Sequence, residues 1–109
     1  MSTSLTLDTA RSSDGGLVLT ATGEIDLSNV EAFAQALTDA VAKADGGGGG
    51  TLTVDLSSVE YLDSAGVNVL FPFASSVRVI AHPWLVRVFD ISGFTELATV
   101  EAAPLEVDS

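Results

Sequence analysis

Apolar and polar residues alternate from Thr3 to Thr9, with Leu5 and Leu7 on one face. The alternation resumes from Leu17 to Gly23, where Leu17, Leu19 and Ala21 fall together. A period of two places alternate side chains on opposite faces of a strand. Between the two runs lies a turn cluster, Ser12-Ser13-Asp14-Gly15-Gly16, so the strands are expected to pair as an antiparallel hairpin. The period then changes. Val30, Phe33, Ala34, Leu37, Val41 and Ala44 recur three or four apart, the spacing of a buried helical stripe. Ser28 and Glu31 precede most of that stripe as an S-x-x-E capping box, and the glycines from Gly46 to Gly50 end it. One glycine suffices as a helix C-cap. The others read as a solvent loop on the face away from Ser64. They lack the G-K-[ST] ending and the strand-then-helix setting of a phosphate loop.

Thr51 to Leu56 alternates again, with Leu52, Val54 and Leu56 on one face, and Ser57-Ser58 reads as a plain loop. A second helical stripe follows at Val67, Leu70, Phe71 and Ala74. Pro72 lies inside it and is expected to end or kink the helix near Phe71, because proline lacks an N–H and crowds the carbonyl four residues back. Val77 to Ala81 is a short strand. Pro83 suits the first position of a third helix, which carries Trp84, Leu85, Val88 and Phe89 and stops at Gly93. Trp84 and Phe89 are expected to be core, and His82 a cap or surface residue. Leu97 to Val100 reads as a last strand, and residues 104–109 as a frayed tail. The order β-β-α-β-α-β-α-β predicts a single α/β domain over residues 1–109, its core at about 5–103. It should contain a mixed β-sheet with helices packed on it.

With 109 residues, 47% of them hydrophobic, the chain has material for one core and not two. It has no cysteine, which removes disulfides, thiol chemistry and cysteine zinc sites, and its one histidine builds no metal site alone. No cofactor is expected. Fifteen acidic residues against four basic ones give a net charge of −11. Nucleic-acid phosphates and an anionic membrane surface would be repelled, whereas a partner with a basic face would be steered in. No apolar run approaches a membrane span. Met1-Ser2-Thr3-Ser4 lacks the basic start of a signal peptide, so a cytoplasmic protein is expected.

The candidate chemistry is concentrated in Asp63-Ser64-Ala65-Gly66, between a strand region and a helix. The first backbone N–H groups of a helix have no internal partners. Asp63 or Ser64 therefore reads as an N-cap. A serine there can also carry a phosphate, since helix N-termini favour anions. Ala65 and Gly66 are small and would let a partner approach. A side chain at position 66 is expected to stand between Ser64 and that partner. Glu24 and Asp26 lie in the loop before the first helix and come near Ser64 if both loops leave the same sheet edge. Enzyme readings are weak. Ser64 has no visible base and no G-x-S-x-G setting. The sole lysine, Lys43, is misplaced for a phospho-accepting receiver domain.

Gly23-Glu24-Ile25-Asp26, Val54-Asp55-Leu56, Tyr61-Leu62-Asp63-Ser64-Ala65-Gly66 and Ile91-Ser92-Gly93-Phe94 together resemble the STAS domain of bacterial anti-sigma factor antagonists. Their order and approximate spacing match over residues 5–103. The resemblance implies a non-enzymatic regulatory protein. Its dephosphorylated form would bind an anti-sigma factor that is itself a serine kinase, and so release a sigma factor. The resemblance makes Ser64 the phospho-acceptor, and Glu24, Asp26, Asp63, Ala65 and Gly66 part of the partner-binding surface. A serine phosphatase would reset the switch. One departure stands out: only Ala65 to Ser76, interrupted by Pro72, separate the D-S-x-G element from the next strand. The second helix is thus shorter than in the family by roughly two turns. That departure keeps open a second reading, a non-switching STAS scaffold subunit of a signalling or lipid-transport assembly.

Overall fold

A computed structural model describes residues 4–11, 16–46 and 51–103. Most of the Ser12–Gly16 turn cluster, most of the glycine run and the tail at 104–109 lie outside the described residues. The elements are β1 (Leu5–Arg11), β2 (Leu17–Ile25), α1 (Val30–Gly46), β3 (Leu52–Leu62), α2 (Ser64–Leu70), β4 (Val77–Ala81), α3 (Pro83–Ser92) and β5 (Thr99–Ala102). Short 3-10 turns occupy Phe71–Ser76 and Phe94–Glu96. The strands lie side by side in chain order. β1 and β2 form the expected antiparallel pair, and β2 through β5 are parallel. Successive crossovers run in one direction across the sheet, and crossovers of one hand put every helix on the same face; the buried residues of α1, α2 and α3 accordingly join a single core.

Burial follows that geometry. Leu17, Leu19, Ala21, Leu52, Val54, Leu56, Val77, Val79 and Ala81 are buried, and they join Phe33, Leu37, Leu70, Leu85, Phe89 and Phe94 in one core. Phe94 closes the core, its ring 5.3 Å edge-on from Phe71 and 5.2 Å from Phe89. On the other face Thr6, Asp8, Thr22, Arg78, Thr99 and Glu101 are exposed, so the sheet is covered on one side only. Arg78 and Glu101 pair there at 3.1 Å.

Two elements differ from the expectation. β3 does not stop at Leu56 but runs to Leu62, and Ser57-Ser58 belongs to it. The reason is a pair of bulges. Thr20 pairs with Asp55 but Thr22 with Ser58, and Gly23 pairs with Val59 but Glu24 with Tyr61. At each step β3 gains one residue on β2. The Asp55 carboxylate accepts from Ser57 N at 2.9 Å and from Ser57 Oγ at 2.6 Å, folding the strand locally. Buried positions then fall three apart, at Leu56, Val59 and Leu62, which breaks the alternation that marks a strand. The second difference is in α3. Leu85 and Phe89 are buried, but Trp84 is 44% exposed, so Trp84 is not core. It shares a face with Val88 and Ile91, four and seven residues on. The last strand is Thr99–Ala102 and not Leu97–Val100. Ser28 is not the N-cap of α1, which starts at Val30 after Asn29, and the Ser28 hydroxyl donates to Asp26. The breakers act as expected. α2 ends at Leu70, where Pro72 forces a tighter turn: Phe71 N–H donates to the Asn68 carbonyl. α3 starts with Pro83 and stops at Gly93, whose φ is 87°.

Gly23 holds the end of β2 in register. Its φ is 110°, and a Cβ built there would lie 2.3 Å from the Ser4 carbonyl oxygen. That same oxygen accepts from Glu24 N at 2.9 Å. Gly23→Ala would combine a strained backbone with displacement of that bond. A loss of about 2 kcal/mol or more is expected, read as a lower urea midpoint at unchanged m. An unaltered midpoint would show that the β1–β2 end relaxes freely.

Candidate functional site

Crevices outside the carboxyl ends of parallel strands are the usual sites of α/β sheets. Here the ends of β2 and β3 lie together: Ile25 pairs with Leu62, and Asp63 N donates to the Ile25 carbonyl at 3.3 Å. Glu24 lies at the end of β2 and not in the loop. The loop that begins at Asp26 leaves the same end of the sheet as the turn carrying Asp63 and Ser64, a proximity the sequence leaves open.

Asp63 is the N-cap of α2. Its Oδ1 accepts from Ala65 N at 3.0 Å and from Gly66 N at 3.2 Å. Those are the donors that the anion-binding reading would have left for Ser64, and the aspartate already holds them. Ser64 is the first residue of the helix and is exposed. Among the described residues no group holds its hydroxyl. Asp63→Ala would orphan two N–H groups at the start of a seven-residue helix. It should lower stability by about 1 kcal/mol, and Asp63→Asn should retain most of it. Thermal melts of the pair check this; equal melting of Asp63→Ala and wild type would remove the cap from the account.

Gly66 is buried, contrary to its expected place between Ser64 and a partner. A Cβ there would meet Leu62 Cδ1 at 2.4 Å and Ile25 Cγ2 at 3.1 Å. It faces the core, so its role is to let α2 approach β2 and β3. Ala65 is half-buried beside it.

The acidic loop is braced from within. Asn29 Oδ1 accepts from Asp26 N at 2.9 Å, and Asn29 Nδ2 donates to the Glu24 carbonyl at 2.9 Å. The Asp26 carboxylate accepts from Ser28 N at 2.9 Å and from Ser28 Oγ at 2.5 Å. Asp26 thus shapes its own loop, while Glu24 is exposed. The sequence reading missed Asn29; an Asn three residues after Asp26 is the signal that was there to use.

Beside Ser64 a groove of about 380 Å³ runs between α2 and α3, lined by Leu62, Ser64, Val67, Asn68, Val88 and Ile91 among others. The sequence reading missed its α3 wall. Ile91 is 84% exposed, and its position outside the Leu85–Phe89 stripe was the available clue. At the loop tip Leu27 is also exposed. None of the four basic residues lines the groove. The site is therefore an exposed serine hydroxyl set between carboxylates and an apolar trough. Among the described residues no base is hydrogen-bonded to the serine, and no group of three metal-ligating side chains occurs. Among them, too, no helix is long and apolar enough to cross a membrane.

No curated protein matches the sequence. Solved structures do. An anti-sigma factor antagonist from Mycobacterium paratuberculosis superposes with a TM-score of 0.78 at 27% identity, over 94% of this chain and 89% of that one. SpoIIAA in its unphosphorylated form gives 0.67 at 18% identity, over 93% and 90%. The phosphorylated Bacillus SpoIIAA gives 0.62 at 18%, over 93% and 94%. These last two likenesses concern the fold. A family model described as "Mlab, STAS domain" matches residues 9–99. That match takes in β2 through β4, the braced acidic loop and the Asp63–Ser64 turn, and with it the chain belongs to the STAS domain family.

Proposed function

We propose that this protein is an anti-sigma factor antagonist, and that it acts by binding rather than by catalysis. Its unmodified form docks an anti-sigma factor of the serine-kinase type against the surface formed by Ser64, the Glu24–Asp26 segment and the α2–α3 groove. Phosphorylation of Ser64 ends the complex, and a serine phosphatase restores it. The observation that carries this reading is the exposed Ser64 hydroxyl, first in α2, with its helix already capped by Asp63. Such a serine is free to be modified without loss of the cap. The 27% identity to an anti-sigma factor antagonist over nearly the whole chain supports the same role. Work of this kind belongs in the cytoplasm.

A second reading has its own support. The matching family model carries the Mlab description, and α2 has only seven residues. Both favour a STAS subunit held constantly in a larger assembly without a switch. Affinity capture from the native host separates the two. Recovery of an ATP-binding serine kinase supports the antagonist. Recovery of a transporter ATPase subunit with unmodified Ser64 supports the scaffold.

A further inference from the structure

A second cavity, of about 520 Å³, lies at the bulged part of β3. Its walls include Thr22, Ser57, Ser58, Glu60, His82 and Trp84. We propose that it receives an arginine side chain from a protein partner, at a site independent of Ser64 and of its phosphorylation.

The lining argues for that chemistry. Glu60 is the one carboxylate in it, and none of the four lysines and arginines takes part. With a net charge of −11 on the chain, an approaching anion is repelled and a cation attracted. Trp84 stands 44% exposed at the start of α3, its position fixed by Pro83. An indole face is the best aromatic partner for a cation. Guanidinium is planar, stacks on such a face, and has five donors and no acceptor. The cavity answers with acceptors: the Glu60 carboxylate and the hydroxyl oxygens of Thr22, Ser57 and Ser58. The bulges of β3 are what give Ser57 to Glu60 their places in the wall. Bulges re-aim side chains and recur beside functional sites. Ser57 is fixed by its two bonds to Asp55, so that part of the wall is preorganised.

Trp84 is the only tryptophan in the chain, so its indole N–H resonance reads this cavity alone. The probe is acetyl-Gly-Arg-Gly-amide, set against the same peptide with citrulline, which has nearly the same shape and no charge. The arginine peptide should shift the Trp84 indole signal saturably, and the citrulline peptide should not. Glu60→Gln, at an exposed position, should melt like wild type and bind at least threefold more weakly. Asp39→Asn removes the same charge from α1 and should leave binding unchanged, as should Ser64→Asp. No saturable shift would overturn the proposal. An equal response to citrulline, or equal weakening by Asp39→Asn, would overturn it too.

Discussion

Gly66→Leu should lower the stability of this domain by about 3 kcal/mol or more, at or above the top of the usual range for overpacking a closed core. Even a Cβ would press on Leu62 and Ile25, at 2.4 and 3.1 Å. Both neighbours are buried, Ile25 fully and Leu62 to 6% exposure. Leu62 Cδ1 is the end of a flexible side chain and can turn aside for one methyl group. Gly66→Ala therefore has a modest effect, since the helix gains about 1 kcal/mol from alanine over glycine and loses a similar amount to crowding. Leucine has no room to turn. Domains of this kind have about 5–15 kcal/mol in all, so the loss is a large share. Urea denaturation of the three proteins measures it. A Gly66→Leu variant with the wild-type midpoint and weakened partner binding would instead put residue 66 on the surface.

Phosphorylation of Ser64 has the other large effect, on binding rather than on folding. It adds about −1.5 to −2 charges. Asp63 holds Ala65 N and Gly66 N, so the phosphate finds no free cap donor there and stands beside a carboxylate. No basic residue lines the groove to meet it. The fold loses little, because Ser64 is exposed and no described group depends on its hydroxyl. The interface loses much, since a charged group is costly to bury unpaired. Partner affinity should fall at least about tenfold, near 1.4 kcal/mol. Ser64→Ala should bind as wild type and resist inactivation, and Ser64→Asp should reproduce part of the loss. Calorimetry on the three forms, with thermal melts alongside, reads both halves of the expectation. A phosphorylated form that melts well below the unmodified protein would make the effect structural.

Where the period of the sequence was regular, the fold was legible. β2, α1, β4 and α3 each bury one stripe, and stripe and breaker agree with one another. The pairing of the Asp26 loop with the Ser64 turn needed only the strand order, because parallel neighbours end at the same edge. β3 was cut short since its bulges shift the buried positions from two apart to three, which mimics the end of a strand. Trp84 was misplaced because α3 carries two adjacent apolar stripes, Leu85–Phe89 and Trp84–Val88–Ile91. Spacing alone does not say which of two stripes meets the sheet. Gly66 was misread for a related reason: smallness signals close approach without saying from which side. Here the sheet residues approach, not a partner.

Ser64 is proposed as the group on which a partner kinase acts. The direct test is to incubate the protein with the ATP-binding partner captured from its host and ATP, then measure intact mass and map the modified peptide. One added phosphate, on Ser64, absent from Ser64→Ala and accompanied by release of the partner, is the predicted result. A bound partner that leaves the mass unchanged, or a phosphate that maps to another residue, would contradict it.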